Sequence, residues 1–477
     1  MPPGAPGRAR PARGRNGPEA QPIRASAPRR GGAWPDVFEL NSGESRTVSR
    51  AGVERTIRLL SVEESWQPDY WIGSNRDRKT LREARIALEV SGERVTLIAR
   101  PYQMPVTVAG LRLYVEATRT WATQCDYDQA LPVTGEVRLS ATAAGETWGP
   151  ADLVFPIRNY RWRSGTYNNT WLALVPYNRL YYHRGEDFGA IPDRLEVAAP
   201  LAGEIAASPL PSGDGKSNSL AIRHASGAEV RLAHMNIETI DPHLTVGAHV
   251  EAGQAVGKTG CTWSGKRSQM SDPHLHVGLQ VAGAVVSLYP AIVEAYLRAY
   301  GDAILAVAGG YHFAVPGDEV ALDGSRSVPR PGRKISEFSW RLHDGCAAAG
   351  PVARIRYDRP GLYSEELIVR TDDGAEDRDF AQVRIFDPAR GNRIAYGWAY
   401  HSPVRGARPG DDVLFWNRLM GVTGPVKIDF GDGSPPQEIK AEVRHAYARP
   451  GMHTVALTSR GPDDEPATIK MRVVVEP

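Results

Sequence analysis

The chain has 477 residues, of which 42% are hydrophobic, and this length predicts about three or four domains. No apolar run approaches the roughly eighteen residues of a membrane-spanning helix, so we expect no membrane span. The formal net charge of +2, the 48 glycines and the 37 prolines, together with many short β-branched runs, predict a β-rich protein with many turns.

The net charge is unevenly distributed. Residues 1–35 carry seven arginines and one acid, a net charge of +6, which leaves −4 for the rest of the chain. Because this segment has almost no large aliphatic side chains, we predict a disordered basic tail. No apolar segment typical of a signal peptide is visible in it. The remaining chain is mildly acidic, so we expect no nucleic-acid partner.

Residues 36–178 are predicted to form an N-terminal β-domain of the sandwich type. Apolar and polar residues alternate at 85–90 and at 111–116, as in half-buried antiparallel strands. Its many aromatic residues favour core packing over ligand binding. The tyrosine-rich segment 167–182 directly precedes His183, and we expect it to form the wall at one end of a cleft there.

Seven of the twelve histidines lie between residues 183 and 276, which is the first indication of a metal site. His183 and Asp187 are four apart, so a turn or strand end can direct both toward one ion. His274 and His276 have apolar neighbours, and residues i and i+2 of a strand share a face. A hydrolytic zinc needs three nitrogen or carboxylate ligands, an open position for water and nearby bases. One imidazole of the pair can thus bind metal while the other handles protons.

With His234 in the apolar segment 231–235, these residues resemble the signature of the M23 family of zinc metallopeptidases, the lysostaphin-like peptidoglycan endopeptidases. That signature is H-x-x-x-D followed further along the chain by H-x-H. The segments 197–205, 220–227 and 246–260 resemble the strand, hairpin and glycine-containing motifs of the same family. The resemblance covers residues 180–290, and it predicts a central domain over residues 179–290.

The resemblance implies a role for each polar residue of the signature. His183, Asp187 and His276 would bind Zn²⁺, with water in the fourth position. His234 and His274 would handle protons and stabilise the transition state. These assignments predict a competent catalytic site.

Two positions depart from the family pattern. Asp272 stands where the family usually has glycine, which adds a carboxylate beside the cleft and can orient an imidazole. The loop 261–271 carries Trp263, Lys266 and Arg267, so the cleft wall differs in detail. Neither departure removes a ligand.

The rest of the chain predicts two further β-units. Residues 291–309 are predicted as helix and linker. Residues 310–388, the third unit, and residues 394–477, the fourth unit, resemble PKD repeats, which are immunoglobulin-like β-sandwiches. The usual W-D-F-G-D-G is degraded to W-R-L-H-D-G at 340–345, whereas I-D-F-G-D-G-S at 428–434 is clearer. Their shared spacing indicates an internal repeat.

The sequence therefore predicts a mainly β, multidomain protein with an N-terminal β-sandwich-like domain, an M23-type antiparallel β-sheet catalytic domain and two PKD-like sandwiches. The expected activity is zinc-dependent endopeptidase cleavage of peptide bonds in bacterial peptidoglycan. These domain types predict a secreted, periplasmic or cell-surface protein. Two alternatives stay open: a non-catalytic wall-binding or adhesion protein, and a zinc peptidase acting on a non-wall peptide.

Overall fold

The computed structural model describes residues 34–69, 79–124, 132–176, 180–210, 219–263, 266–267, 272–302, 304–387, 389 and 394–477. The protein is mainly β and multidomain, as the sequence predicts. Most of the predicted basic tail lies outside the described residues, but Trp34 at its end is buried, because a large indole gains by leaving water. No described helix is long and apolar enough to cross a membrane.

Two four-stranded antiparallel sheets form the N-terminal domain, in the orders β1-β8-β7-β6 and β2-β3-β4-β5. Residues of both sheets, such as Leu113 and Leu88, meet in one core. The elements of this part are β1 Asp36–Leu40, β2 Ser45–Arg50, β3 Val53–Pro68, β4 Lys79–Val90, β5 Glu93–Ala99, β6 Val106–Val108, β7 Leu111–Thr118, α1 Arg119–Thr123, β8 Val137–Ala143, β9 Leu174–Pro176 and β10 Leu180–Tyr182.

The central domain is built on a seven-stranded antiparallel sheet. Its order is β11-β20-β15-β14-β13-β16, with β21 also paired to β20. The elements are β11 Glu186–Gly189, β12 Glu196–Ala198, β13 Gly203–Ala207, β14 Leu220–Arg223, β15 Glu229–Ala233, a 3₁₀ turn Ile237–Thr239, β16 His249–Val250, β17 Ala255–Lys258, β18 Thr262–Trp263, β19 Lys266–Arg267, β20 His274–Val281, β21 Ala284–Val286 and α2 Tyr289–Tyr300.

Helix α2 belongs to the core of the molecule and is more than a linker. Its residues Tyr289 and Tyr296 are buried with Phe155, Trp162 and Phe188 in one aromatic cluster. The ring of Phe155 lies 5.2 Å from that of Phe188 and 5.1 Å from that of Tyr296. This cluster joins the N-terminal domain to the strand that carries Asp187.

The third and fourth units share one nine-stranded sheet, because β29 pairs in parallel with β37 at Leu362 and Ala467. The third unit begins before residue 310, since Ile304, Ala306 and Ala308 are buried in its core. The strands are β22 Ile304–Leu305, β23 Tyr311–Ala314, β24 Glu319–Asp323, β25 Val328–Pro329, β26 Ile335–Arg341, β27 Ala347–Ala349, β28 Val352–Arg356, β29 Gly361–Thr371, β30 Glu376–Ile385, β31 Tyr396–Ser402, β32 Asp412–Met420, β33 Lys427–Asp429, β34 Gln437–Glu438, β35 Glu442–Ala446, β36 Gly451–Arg460 and β37 Pro466–Val475.

A connecting segment, residues 160–171, is held by both C-terminal units. Arg163 Nε donates to Asp379 Oδ2 of the third unit at 2.7 Å, and both side chains are buried. Thr166 and Ala399 of the fourth unit exchange two hydrogen bonds, from Thr166 N to Ala399 O and from Ala399 N to Thr166 Oγ1. The C-terminal units are therefore packed against the segment that leads into the central domain.

Glu116 is a buried acid between the N-terminal and central domains. Its Oε1 accepts from Ser140 Oγ at 2.5 Å and its Oε2 from Ser287 N at 2.7 Å. Burial raises the pKa of Glu116 from 4.5 to about 7, against the opposing effect of these hydrogen bonds. A group with such a pKa links folding to pH.

We expect Glu116→Gln to flatten the pH dependence of stability. The folded protein keeps a proton that the unfolded chain loses between pH 4.5 and about 7, so the free energy of unfolding falls as pH rises through this window. The fall is about 3 kcal/mol at most. Thermal unfolding of the wild-type and Glu116→Gln proteins from about pH 5 to pH 8 measures this fall in the free energy of unfolding. Glu93→Gln, at an exposed site, should keep the wild-type profile; parallel profiles for wild type and Glu116→Gln would contradict the assignment.

Candidate metal centre

Three neighbouring strands bring the five predicted site residues together. In the sheet β20 lies between β11 and β15, and His276 is directly opposite both Asp187 and Ala233. His234 follows Ala233, and His274 precedes His276 by two residues on the same face of β20. His183 reaches the site from the chain just before β11. The sheet register thus places residues from three separate motifs at one point.

The ligand atoms of His183, Asp187 and His276 all lie within 4.8 Å of one another. Asp187 Oδ1 lies 3.1 Å from His183 Nε2 and 2.8 Å from His276 Nδ1. The two imidazole nitrogens are 3.1 Å apart. Asp187 and His183 are buried, whereas the side chain of His276 is 22% exposed. This group can hold a metal ion and leaves one side open to solvent.

The connecting segment supplies the groups behind two of these residues. Asn169 Nδ2 donates to Asp187 Oδ2 at 2.8 Å, and Asn169 O accepts from Asp187 N at 2.9 Å. His183 Nδ1 lies 3.3 Å from Thr170 O. A carbonyl oxygen only accepts, so Nδ1 carries the proton and Nε2 keeps its lone pair for a metal. Such partners fix the orientation of a ligand and tune its basicity.

His234 and His274 form a second pair beside the three. Their ring centroids are 4.6 Å apart. His234 Nδ1 lies 3.0 Å from Thr262 O, and His274 Nδ1 lies 2.6 Å from Asp272 O. Because both partners are carbonyls, each ring in its neutral form carries its proton on Nδ1 and its basic lone pair on Nε2. His274 Nε2 is 3.4 Å from Asp187 Oδ1, so this pair borders the metal ligands.

Burial and neighbouring charges set the ionisation of the site. Burial raises the pKa of Asp187, but the nearby His183 and His274 outweigh it and hold the pKa well below its usual range. Burial, with His274 and His276 close by, lowers the pKa of His234 to about 3. Burial likewise lowers the pKa of His276 despite its contact with Asp187. The centre therefore combines an ionised carboxylate at Asp187 with neutral imidazoles at His234 and His276, and these are the forms in which such side chains bind metals.

Backbone conformation contributes at two positions. His234 has a φ of +69°, a left-handed conformation that costs a non-glycine residue of order 1 kcal/mol and recurs at functional sites. Gly185 has a φ of +146°, and a Cβ there would lie 2.7 Å from His276 Cε1. Only glycine allows the chain to pass so close to this imidazole.

The sequence did not indicate every residue that supports the centre. Asn169, Thr170 and Gly185 carry no metal-binding pattern of their own. The carboxylate of Asp272 was expected to orient an imidazole, whereas the contact with His274 is made by its main-chain carbonyl, which any residue at this position supplies. The predicted wall is formed in part by Tyr167, whose ring lies 4.6 Å from that of His274. Residues 264–265 and 268–271 of the cleft loop lie outside the described residues, as do the side chains of Trp263, Lys266 and Arg267.

We expect Asn169→Ala to weaken metal binding about tenfold or more, since it removes a hydrogen bond to a ligand carboxylate. Competition with a chromophoric chelator measures the affinity for Zn²⁺ or Co²⁺. Asn168→Ala is the matched control, because Asn168 is also buried but donates to Gly165 O. Equal losses in both variants would show that Asn169 has only a structural role.

Gly185→Ala should also weaken metal binding, because the added methyl would displace the His276 ring. Gly278→Ala is the control on the same sheet. The nearest atom to a Cβ added there is His276 Nε2 at 3.8 Å, which is an ordinary van der Waals distance. Metal affinity and the circular dichroism spectrum of the two variants are compared. Unchanged affinity in Gly185→Ala would contradict the contact.

Known proteins resemble separate parts of this chain. Residues 181–288 match peptidase family M23, and residues 304–385 match the PKD domain. A putative glycyl-glycine endopeptidase LytM from Ruminococcus gnavus is 20% identical over 29% of this chain and 58% of its own, with a TM-score of 0.22. The chain thus spans less than two thirds of that structure.

Fibronectin(III)-like modules of Clostridium thermocellum CbhA are 13% identical over 36% of this chain and 94% of their own, with a TM-score of 0.14. No curated protein matches the chain in sequence. The assignment of these domains to families therefore depends on the two family matches and not on the similar structures. Residues 181–288, which contain all five residues of the centre, are a peptidase family M23 domain, and a PKD domain follows at residues 304–385.

Proposed function

We propose that this protein is a zinc-dependent metalloendopeptidase that hydrolyses peptide bonds of bacterial peptidoglycan. The observation that carries the proposal is the joint arrangement of His183, Asp187 and His276 within 4.8 Å beside the imidazoles of His234 and His274. A binding protein would need the first three residues at most. The additional pair is what a hydrolytic site requires.

The donor set fits zinc. Two imidazoles and one carboxylate are the ligands of several hydrolytic zinc sites, which keep a fourth position for water. In a tetrahedral site with bonds of about 2.0–2.1 Å, neighbouring ligand atoms are about 3.3 Å apart. The three separations here, 2.8, 3.1 and 3.1 Å, are close to that spacing. Small outward movements of these side chains would accommodate the ion.

Zinc, when bound, acts as a Lewis acid and makes water a nucleophile near neutral pH. The chain supplies the proton handling. The unprotonated nitrogens of His234 and His274 are their Nε2 atoms, so either ring can take the proton of the attacking water. A ring that has gained this proton can donate a hydrogen bond to the oxyanion, which stabilises it, and can then transfer the proton to the leaving amine. Thr262 O and Asp272 O hold the two rings in the required tautomer.

Peptidoglycan as the substrate is supported by the M23 family of residues 181–288. A PKD domain and an M23 domain in one chain also favour an exported protein that acts in the bacterial envelope. The solvent-exposed side of His276 gives a peptide access to the centre. Together these features support cleavage of wall peptides outside the cytoplasm.

Digestion of purified peptidoglycan, with products identified by mass spectrometry, tests the proposal. Wild-type protein loaded with zinc should release new muropeptides and lose this activity on chelation. Asp187→Ala and His276→Ala should lose both zinc and activity, whereas His234→Ala should keep zinc and lose at least about a hundredfold in rate.

His243→Ala serves as the control, since His243 is exposed in the same domain and should leave activity unchanged. No cleavage by a protein with stoichiometric zinc would reject the peptidoglycan endopeptidase. Absence of zinc binding would reject the metal assignment itself.

A further inference from the structure

One sheet face of the fourth unit carries aromatic and cationic side chains toward the metal centre. In the β31–β32 pair, Trp398 is opposite Arg418 and Tyr400 is opposite Trp416. Alternate residues of a strand share a face, so all four side chains lie on the same side of this sheet. Trp398 and Tyr400 are buried, while Trp416 and Arg418 are partly exposed.

This face packs directly against residues of the catalytic region. Trp398 and Tyr400 form a cluster with Tyr167 and Ile191, and Trp416 packs against its edge. The Tyr167 ring lies 5.2 Å from that of Trp398 on one side and 4.6 Å from that of His274 on the other. One aromatic ring thus separates the fourth unit from a proposed catalytic imidazole. Trp416 and Arg418 are the partly exposed residues of this same face.

Arg418 is a preoriented cation on this face. Its guanidinium lies 3.4 Å from the centroid of the Trp416 ring, a cation–π contact that fixes its direction. Burial lowers the pKa of Arg418, partly offset by Tyr400 and by Cys261 of the central domain. Cys261 precedes Thr262, the residue that holds His234. Arg418 therefore lies near the segment of the central domain that holds His234.

Arg418 has no carboxylate within ion-pair distance among the described residues, and it is partly buried, whereas Arg408 and Arg449, which also have no such partner, are exposed. Arg444 pairs with Asp412, and Arg460 pairs with Asp464. Partial withdrawal of a cation from water without a counter-ion is unfavourable. A ligand that brings a carboxylate would offset this cost, and a guanidinium binds a carboxylate with two parallel hydrogen bonds.

We propose that Arg418, held on Trp416, binds a free carboxylate of the peptide substrate at a subsite that the fourth unit adds to the M23 centre. This inference rests on the proposed function and specifies it, because it selects acidic wall peptides over amidated or all-glycine ones. The aromatic ring beneath the guanidinium offers an apolar surface to the adjoining part of the ligand.

Calorimetric titration of a zinc-loaded His234→Ala protein tests the subsite without turnover. The probes are a synthetic wall stem peptide with free side-chain carboxylates and the same peptide with these groups amidated. We expect the acidic peptide to bind about tenfold or more tightly than the amidated one. Arg418→Gln should abolish this difference, and Arg418→Lys should restore part of it.

Arg460→Gln is the control, because it removes the same charge from an exposed site of the same unit and should leave the difference intact. Equal binding of both peptides by the His234→Ala protein that retains Arg418 would overturn the subsite. An equal loss for both peptides in Arg418→Gln would also overturn it. If the wild-type protein cleaves neither peptide but still binds the acidic peptide more tightly, the proposed function alone would be rejected.

Discussion

The buried carboxylate of Asp187 is the interaction on which the site depends. An isolated carboxylate in a protein interior is strongly unfavourable, yet here three imidazoles lie within 3.4 Å of one of its oxygens and Asn169 donates to the other. These neighbours keep Asp187 ionised. The same arrangement brings His183 Nε2 and His276 Nδ1 to one point. The contacts that keep the carboxylate charged therefore also assemble the group that can hold a metal ion.

The connecting segment, residues 160–171, relates this centre to the whole molecule. Its end supplies Asn169 and Thr170 to the ligands, and its beginning is held by the third and fourth units through Arg163 and Thr166. Breaking the buried pair of Arg163 and Asp379 would leave an uncompensated charge, a cost of about 3–5 kcal/mol. The C-terminal units therefore do more than extend the chain, because they stabilise the segment behind the ligands.

Sequence reasoning identified the five central residues because their pattern is local and chemical. His274 and His276 share a strand face, and H-x-x-x-D can be recognised without a structure. Asn169 and Thr170 could not be found, since an amide and a carbonyl have no spacing rule that links them to residues of another domain. Arg418 was missed because its neighbour across the interface, the region of Cys261, is distant in sequence. Trp34 and Ile304 show that domain boundaries depend on burial that composition does not reveal.

Selectivity must come from outside the metal centre. In the proposed mechanism the centre and its two bases would act on a peptide carbonyl and amine, which all peptide bonds share. The ligands would therefore not distinguish one wall peptide from another by themselves. Groups that contact the substrate away from the cleaved bond have that role. Arg418 and Trp416 belong to a different unit from the proposed ligands and lie on the sheet face that packs against Tyr167. If the proposed subsite binds substrate, substitutions on this face would alter the preferred peptide while the five residues of the centre stay in place.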